Sequence, residues 1–369
     1  MIQFYSNVPD FLDKVLLRTF LKLYNNHPVK EFDGKNILYT GYARTALEIG
    51  MKHLGLQQGD EILCSETVCD VVLTGIWRQK LKPLFYSIND AFKIDWDSCK
   101  NLISKKSKGF LGIDYFGFPM EIEQAINFCD NNGLKFIEDN AHGYGSFYKG
   151  KYLGWYGDIG IASPRKNLAL FNGGMLIYDG VMQNDEIRWF ENLKKANIKS
   201  FFKIPCIVLK RIVSNYINIS KLSERDIDYD VMDNGEEDFL DYKLAQPIPQ
   251  IAQIKDDIAK RQEIFKIWDD ILKKNTKLKI PALTLINDCT NVNPLEYVAY
   301  AKNKRERDQW INWGKIHGIK VRPWPSLPKI LRDHSNALDR WNRLILFPIN
   351  NAYSSKSVRK FIEKKIELF

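Results

Sequence analysis

Short apolar runs alternate with helical patterns between about residue 37 and residue 178. The apolar runs, such as "NILYT", "EILCS" and "GFLGI", are separated by segments such as "RTALEIGMKHL", in which apolar residues recur at helical spacing. Gly, Asp and Asn stand at the joins. This alternation predicts a three-layer α/β fold, in which a mostly parallel sheet is covered by helices on both faces.

The same pattern locates the individual elements. We expect strands within "NILYTG", "DEILCSE", "KPLFYSI", "KGFLGIDYFG", "LKFIEDN", "GDIGIAS" and "GGMLIYDG". We expect helices within "RTALEIGMKHLGL", "VCDVVLTGIWRQKL" and "MEIEQAINFCDNNG". Ligands of open α/β sheets bind beyond the carboxyl ends of the strands, so candidate functional residues are sought there.

Residues 179–290 follow a different pattern. They are helical and basic to about residue 225, acidic at "DNGEED", and helical again through "IAQIKDDIAKRQEIFKIWDDILKK". From "PLEYVAYAKN" onward the pattern predicts a smaller α/β unit. Its expected elements are a strand near 297–302, a helix over "KRERDQWINWGKIHG", strands at "IKVRPW" and "LILFPI", and a helix after Ser354.

The length of 369 residues favours two domains, or one large domain with a smaller one, and is enough to bury a sizeable core. We therefore predict an N-terminal helical segment (1–36), a large α/β domain (37–235) that includes a basic helical segment (186–225), and connecting helices with a small C-terminal α/β domain (236–369).

Composition places the chain among ordinary soluble proteins, since apolar residues make up 45% and charged residues 27%. The six cysteines form no CxxC pair and no Cys/His group with zinc spacing, so we expect reduced thiols and no metal site. The N-terminal stretch "FLDKVLLRTFLKLYNN" is interrupted by charges too often for a signal sequence. These features predict a cytoplasmic location.

The net charge of +9 is unevenly distributed. Eight basic residues and one acidic residue lie between Lys194 and Arg225. A packed helix with a solvated basic face is the favoured interpretation, and weak peripheral contact of residues 194–225 with an anionic membrane is the alternative. Nucleic-acid binding is disfavoured because no recognisable module accompanies the charge.

Three strand ends carry residues with possible chemistry. "FIEDNAH" ends a strand with Glu138 and Asp139 and continues to His142. "YTGYARTAL" joins a strand to a helix and could bind phosphate through main-chain N–H groups. "ASPRKNLALFNGG" places Lys166 beside apolar residues, where a lysine loses its proton more readily. Taken singly, each also fits a helix cap, an ion pair or a solvated charge.

The order of these features favours pyridoxal phosphate (PLP). The phosphate turn comes first, then the strand-end Asp139, and Lys166 follows Asp139 by 27 residues. PLP needs a carboxylate to keep its pyridine nitrogen protonated, a lysine amine for its aldehyde, and a helix N-terminus for its phosphate. The sequence therefore predicts a PLP site.

The chain resembles the DegT/StrS-type sugar aminotransferases, which have the fold type I of PLP-dependent transferases. The segments that carry the resemblance are "GDEILC", "KPLFYSIND", "DYFGFP", "FIEDNAHGYGSFYKGKYLGWYGDIGIAS", "RKNLALFNGG" and "IKVRPWP". The resemblance implies Lys166 as the Schiff-base lysine and Asp139 as the partner of the pyridine nitrogen. The further cofactor contacts that it implies are Ala43, Arg44 and Ser163 at the phosphate, His142 near the phenolic oxygen, and Cys69, where many members stack an aromatic ring.

The chain also departs from the common family pattern. Ile161 stands where most members have a serine, and "SPRK" resembles a divergent branch with a Ser-x-Arg-Lys motif and an arginine in the phosphate turn. The Asn and Arg that many members donate across the dimer interface are missing from "FLDYK", residues 239–243. Cofactor binding is thus better supported than the substrate-side geometry.

The function implied is a two-step transamination from an amino acid, with glutamate as donor, to a keto-sugar linked to a nucleotide, for surface polysaccharide or natural-product biosynthesis. Tyr115, His317 and Arg322 are candidate substrate contacts, and a homodimer is implied by the resemblance. Two alternatives remain. A PLP-dependent sugar dehydratase is disfavoured, because those members replace the lysine with histidine. A catalytically retired homologue that binds PLP or a nucleotide sugar would explain Ile161 and the missing Asn and Arg.

Overall fold

The structure is a computed structural model that describes residues 29–32, 34–168, 173–182, 254–287, 290–349 and 354–366, with the backbone alone for 29–32. The predicted basic segment 186–225, with its proposed membrane contact at 194–225, and the interface segment 239–243 lie outside these residues.

The described residues form fourteen strands and eight α-helices. The strands are β1 (Val29–Phe32), β2 (Lys35–Thr40), β3 (Glu61–Ser65), β4 (Lys82–Tyr86), β5 (Ser107–Ile113), β6 (Lys135–Asn140), β7 (Phe147–Tyr148), β8 (Lys151–Tyr152), β9 (Ile159–Ala162), β10 (Gly174–Tyr178), β11 (Ile286–Asn287), β12 (Thr290–Asn291), β13 (Glu296–Tyr300) and β14 (Leu344–Pro348). The helices are α1 (Ala43–His53), α2 (Asp70–Arg78), α3 (Trp96–Leu102), α4 (Ile122–Asn132), α5 (Lys255–Asn275), α6 (Lys304–His317), α7 (Ser335–Arg343) and α8 (Ser355–Ile366).

The central sheet has eight strands in the order β1-β2-β10-β9-β6-β5-β3-β4. The strands from β9 to β4 pair in parallel, whereas β10 runs antiparallel to both β9 and β2. This confirms the predicted α/β class with a mostly parallel sheet. Because β2 runs in the same direction as β9, the carboxyl ends of β2, β3, β5, β6 and β9 lie at one edge, which we call the carboxyl edge.

Helix α1 packs closely on the sheet because Gly50 has no side chain. A Cβ at this position would lie 2.3 Å from Cδ1 of Ile159 and 2.7 Å from Cδ1 of Leu176. The helix also buries Ala46, Leu47 and Met51. The close approach fixes the start of α1, and with it the turn at residues 41–44, against the carboxyl edge.

The C-terminal α/β unit, residues 290–366, is built around the antiparallel pair β13–β14. Helix α5 packs against β13 and α8, and Nε1 of its buried Trp268 donates a hydrogen bond of 2.8 Å to the carbonyl oxygen of Pro348. The predicted strand and helix near 297–318 and the closing helix are present as β13, α6 and α8. In the predicted N-terminal helical segment (1–36), Val29–Phe32 form strand β1 and β2 begins at Lys35, whereas residues 1–28 lie outside the described residues. The domain boundaries stay a prediction.

The strand predicted at "IKVRPW" is wrong. The segment forms isolated bridges at Ile319 and Arg322 and no continuous strand. The N–H of Arg322 donates to the carbonyl oxygen of Leu346 at 3.0 Å, and its carbonyl oxygen accepts from the N–H of Leu346 at 2.8 Å. Pro323 and Pro325 explain the difference, since proline has no N–H to donate and cannot continue a ladder. Helix α7 was not predicted: the sequence analysis assigned no helix to residues 335–343.

None of the helices formed by the described residues is long and apolar enough to cross a bilayer.

Candidate active site

Five of the residues singled out from the sequence meet at the carboxyl edge. Arg44 follows β2, Cys69 follows β3, Tyr115 follows β5, and Asp139 lies at the end of β6. Lys166 closes a short 3₁₀ turn, Pro164–Lys166, directly after β9. Parallel strands bring these positions together although they are spread over more than a hundred residues of sequence.

Lys166 is a partly buried amine surrounded by charged groups. Its main-chain N–H donates to the carbonyl oxygen of Ser163 at 2.9 Å, which fixes the turn that begins with Pro164. Removal from water lowers the pKa of Lys166, and the nearby cations of Arg165 and Arg322 lower it further, whereas Cys69 and Asp139 raise it. The amine is therefore neutral in a larger fraction of molecules than an exposed lysine, as a nucleophile requires.

Asp139 is buried, with 4% of its surface exposed. Burial raises its pKa, while the charge of Lys166 and the main-chain N–H of Ala141 lower it. That N–H donates to Oδ1 at 2.9 Å and orients the carboxylate. A buried carboxylate in this position needs a cationic partner, which Lys166 supplies here and a protonated ring nitrogen could supply in a complex.

His142 is held as a neutral imidazole. Its Nδ1 accepts a hydrogen bond of 3.1 Å from the main-chain N–H of Phe116, so the ring proton lies on Nε2. Removal from water lowers its pKa well below the usual range, and the charges of Lys166 and Arg322 act in the same direction. Trp324 packs against the ring edge-on, with 5.9 Å between ring centroids.

The turn before α1 has the features of an anion site. Its N-cap residue, Tyr42, makes no side-chain capping bond, and the first turn of α1 contains no acidic residue. The guanidinium groups of Arg44 and Arg165 lie 4.7 and 5.1 Å from the centroid of the Tyr42 ring. Burial lowers the pKa of Arg44, and the charge of Arg165 contributes to this shift. Two cations and the open end of a helix therefore converge on one point.

The chain enclosing this turn leaves no space for a side chain at Gly174. The N–H of Gly173 donates to the carbonyl oxygen of Gly41 at 2.9 Å. A Cβ on Gly174 would lie 2.2 Å from the carbonyl carbon of Tyr42 and 2.5 Å from the nitrogen of Ala43. Ser163, another predicted contact, is buried on the neighbouring strand end.

Asp114 and Glu138 form a pair of buried carboxyl groups near Asp139. The sequence did not reveal this pair. Glu138 accepts main-chain N–H bonds from Gly154, Tyr156 and Gly157 at 2.7, 2.7 and 3.2 Å. Burial, and then the charge of Glu138, raises the pKa of Asp114 well above its usual range. Glu138 is thus the carboxylate of the pair and Asp114 carries a proton. The main-chain N–H of Asp114 donates to the carbonyl oxygen of Asp139 at 3.0 Å.

The predicted substrate contacts have different environments. Arg322 makes two bonds of 2.7 and 2.6 Å to the buried carboxylate of Glu296, and its charge acts on both His142 and Lys166. The hydroxyl of Tyr115 lies 2.8 Å from Oγ of Ser65 and 2.9 Å from the carbonyl oxygen of Thr67, so its bonds hold the chain that follows β3.

The structure does not bring His317 to the cluster. Its ring packs against Trp313 with 5.5 Å between centroids, and burial and then the charge of Lys365 lower its pKa. Both neighbours belong to α6 and α8. His317 is the last residue of α6, before the C-cap Gly318. A substrate contact of His317 stays a prediction.

Arg165 is the residue that sequence reasoning missed at the anion site. It stands next to Lys166, and that position alone could have drawn attention to it. Arg165 and Arg44 are far apart in the sequence, so their shared contact with Tyr42 could not be predicted from it. The contact forms because β2 and β9 end at the same edge of the sheet.

Comparisons with known proteins agree with this fold and these motifs. Residues 32–204 match the profile of the DegT/DnrJ/EryC1/StrS aminotransferase family, whose members are PLP-dependent. GDP-perosamine synthase of Escherichia coli O157:H7 is 27% identical over 179 residues, which cover 46% of this chain and 49% of that protein. GDP-perosamine synthase of Vibrio cholerae is 29% identical over 135 residues, covering 36% and 37%. The chain thus spans at most about half the length of these two relatives.

The fold is similar to that of solved sugar aminotransferases. Spr1654 from Streptococcus pneumoniae, described as a sugar aminotransferase and solved in its PLP form, superposes with a TM-score of 0.71 at 16% identity, covering 100% of this chain and 98% of that one. Helicobacter pylori PseC, an aminotransferase involved in the biosynthesis of pseudoaminic acid, superposes with a TM-score of 0.67 at 16% identity over 100% of both chains. Residues 32–204 thus form a domain of the DegT/DnrJ/EryC1/StrS aminotransferase family.

Proposed function

We propose that this protein is a PLP-dependent aminotransferase that moves an amino group from glutamate to a nucleotide-linked keto-sugar. The observation that carries the proposal is the position of Lys166. Its partly buried amine interacts with the carboxylate of Asp139 at the same edge of the sheet as the helix N-terminus that bears Arg44. Family membership and the names of the relatives support the same activity.

The residues present fit the cofactor. The first turn of α1, with Ala43, Arg44 and the neighbouring Arg165, would hold a phosphate dianion, with Ser163 as a further donor. Asp139 is the carboxylate for a protonated pyridine nitrogen. The Nε2–H of His142 is a donor for the phenolic oxygen, and Cys69 lies beside Lys166 and Asp139. Each group has the charge that its part of PLP requires.

When bound, PLP supplies an electron sink that stabilises negative charge on the substrate carbon. The contribution of the chain is then proton transfer and orientation. Lys166, with its lowered pKa, releases its proton more readily than an exposed lysine and can then accept one, which is the property of a general base. His142 stays neutral and so does not compete for that proton. Burial raises the pKa of Asp139, and a protonated ring nitrogen beside it would lower that pKa again and favour the carboxylate.

Arg322 is proposed to bind the carboxylate of the amino donor. Two nitrogen atoms of Arg322 donate hydrogen bonds to the carboxylate of Glu296, and these paired bonds orient the guanidinium plane. The charge of Arg322 acts on both Lys166 and His142, which supports its assignment to the same substrate site. An Arg322→Lys variant should therefore raise the KM for glutamate, because lysine cannot form the paired bonds.

Spectroscopy of the purified protein with added PLP tests the proposal. A near-visible absorption band should form with the wild type and shift to shorter wavelength on addition of glutamate. The band should be lost in Lys166→Ala and kept in Lys135→Ala, which removes a half-exposed lysine at the amino end of β6. Return of the original band on addition of a nucleotide-linked keto-sugar would establish the acceptor. If the wild type forms no band, the retired homologue is the better description.

We propose in addition that the protein is a cytoplasmic homodimer, as fold type I enzymes generally are. Analytical ultracentrifugation of the PLP-loaded protein tests this directly, and a sedimentation coefficient of the 43.0 kDa monomer would contradict it.

A further inference from the structure

Residues 65–69, which we call the β3–α2 strap, connect the sheet to the candidate site. The strap begins at Ser65, the last residue of β3, and ends at Cys69, the N-cap of α2. Cys69 interacts electrostatically with both Lys166 and Asp139. The position of the strap therefore determines what lies over the space between the lysine and the carboxylate.

Arg340 reaches the strap from the C-terminal α/β unit. Its Nη1 donates to Oε1 of Glu66 at 3.2 Å and to Oγ1 of Thr67 at 2.8 Å. Its Nη2 donates to the carbonyl oxygen of Ile88, which follows β4. The side chains of Arg340 and Glu66 are 4% and 3% exposed, so the ion pair is shielded from water.

The other bonds of the strap come from uncharged groups. Glu66 also accepts from Oγ of Ser87 at 3.1 Å and from the N–H of Ile88 at 3.4 Å. The hydroxyl of Tyr115 lies within bonding distance of Ser65 and Thr67. Arg340 thus supplies the strap with a cationic partner. Loss of one member of a buried pair leaves the other charge uncompensated, so Glu66 would move toward water.

We propose that Arg340 is a positioning residue for the active site: it sets the β3–α2 strap, and through it the placement of Cys69 beside Lys166. The idea that the strap covers a cofactor rests on the proposed function, whereas the idea that Arg340 fixes the strap does not. Helix α7 thereby links the position of the C-terminal unit to the geometry at the carboxyl edge.

Arg343 provides a matched control on the same helix. It also bridges α7 to the large unit, with bonds of 3.2 Å to Oδ1 of Asp90 and 2.5 Å to Oδ2 of Asp339, but it makes no bond to the strap. Its side chain is 19% exposed. Arg343→Gln therefore removes a comparable cation from the same helix without touching residues 65–69.

The first measurement is the rate at which iodoacetamide alkylates Cys69 in the full-length protein without cofactor, followed by peptide mass mapping. Cys69 is partly exposed, whereas Cys64, Cys99 and Cys129 are buried. Arg340→Gln should raise the rate at Cys69 several-fold, Arg340→Lys should raise it less because the charge is kept, and Arg343→Gln should leave it unchanged. Equal rates in Arg340→Gln and the wild type would overturn the proposal.

The second measurement is PLP affinity, set against the free energy of unfolding. Losing an orienting partner behind a bound group commonly costs ten- to a hundred-fold in affinity, so Arg340→Gln should weaken PLP binding by about that much. If Arg343→Gln weakens binding equally for the same loss of stability, Arg340 is merely structural. Should Arg340→Gln not fold, Glu66→Gln/Arg340→Gln removes both charges, and faster alkylation of Cys69 is again expected. A wild type that binds no PLP would refute the proposed function, while the alkylation rates would still decide the role of Arg340.

Discussion

The main-chain N–H of Phe116 donates a hydrogen bond of 3.1 Å to Nδ1 of His142. Phe116 has φ of 58°, in the left-handed region that residues other than glycine seldom occupy. Its carbonyl oxygen accepts from the N–H of Leu295 at 2.9 Å, which holds the strained conformation in place. The β5–α4 turn is thus shaped to present a donor to the imidazole, and this leaves the Nε2–H for the site.

Removing the acceptor at His142 should cost stability. In His142→Ala the N–H of Phe116 is left buried without a partner, which typically costs about 1–3 kcal/mol. His142→Asn should cost less, because the amide oxygen of Asn can accept the same bond. Urea unfolding of the three proteins measures the difference. Equal losses in the two variants would show that the hydrogen bond contributes nothing.

The protonation of His142 should follow its lowered pKa. A histidine whose folded pKa is depressed stabilises the fold above its unfolded value of 6.5 and loses that contribution as the pH falls below it. The wild type should therefore lose stability on acidification below pH 6.5 more steeply than His142→Asn. Nitrogen-15 chemical shifts of the ring should report the Nε2–H tautomer throughout the neutral range. A ring that protonates near pH 6.5 would contradict the burial.

The two members of the carboxyl pair should respond oppositely to amide substitution. Asp114 has a raised pKa, so its protonated form stabilises the fold fully below its unfolded value of 3.8, and the stability is lost as the pH rises toward the folded pKa. Asp114→Asn keeps the shape without that loss, so we expect equal stability near pH 4 and higher stability than the wild type at pH 8.

Glu138→Gln should be destabilising at both pH values. Glutamine replaces one oxygen that accepts N–H groups with an NH₂ group that faces them, and an unsatisfied buried donor typically costs about 1–3 kcal/mol. Chemical denaturation of both variants at the two pH values is the measurement. The reverse order, with Asp114→Asn the more damaging, would place the proton on Glu138.

Gly174→Ala should displace the turn before α1. The new methyl group would meet main-chain atoms of Tyr42 and Ala43, which cannot rotate away, and such overpacking typically costs about 1–3 kcal/mol. The affinity for PLP should fall more than the affinity for pyridoxal, which lacks the phosphate. Gly55→Asn is the control, because Gly55 has open space around its Cβ position and asparagine tolerates its φ of 74°. An unchanged ratio of the two affinities would remove the turn from the phosphate site.

Lys166→Met should stabilise the cofactor-free protein. A lysine whose folded pKa is depressed weakens the fold at every pH below its unfolded value of 10.5, and the penalty disappears as the pH rises toward that value. The gain should therefore be largest at neutral or acidic pH and shrink toward pH 10. Lys135→Met, at an exposed position, should show no such pH-dependent gain. If Lys166→Met is instead less stable than the wild type, the attraction between the amine and its neighbours outweighs the cost of burying its charge.

The sequence predicted most of the sheet and the position of the site. Strands β2 to β6 and helices α1, α2 and α4 coincide with the predicted segments to within a few residues, because their hydrophobic periodicity is strong and Gly or Asn marks their ends. The strand predicted at "IKVRPW" is wrong because its alternation of apolar residues was given more weight than Pro323 and Pro325, which interrupt a continuous strand. Helix α7, "SNALDRWNR", was not predicted, because it contains few apolar residues with which to show a period.

By itself the sequence determined which strand ends carry Asp139, Lys166 and the turn at Arg44, since parallel strands necessarily bring their carboxyl ends to one edge. Only the tertiary structure decided which side chains from distant segments join them. Arg165 meets Arg44 over Tyr42, the charge of Glu138 raises the pKa of Asp114, and Arg340 reaches Glu66 across 274 residues. His317 lies elsewhere for the same reason. Periodicity predicts the type of an element and its buried face. Contacts between side chains depend on the packing of whole elements, which no local pattern encodes.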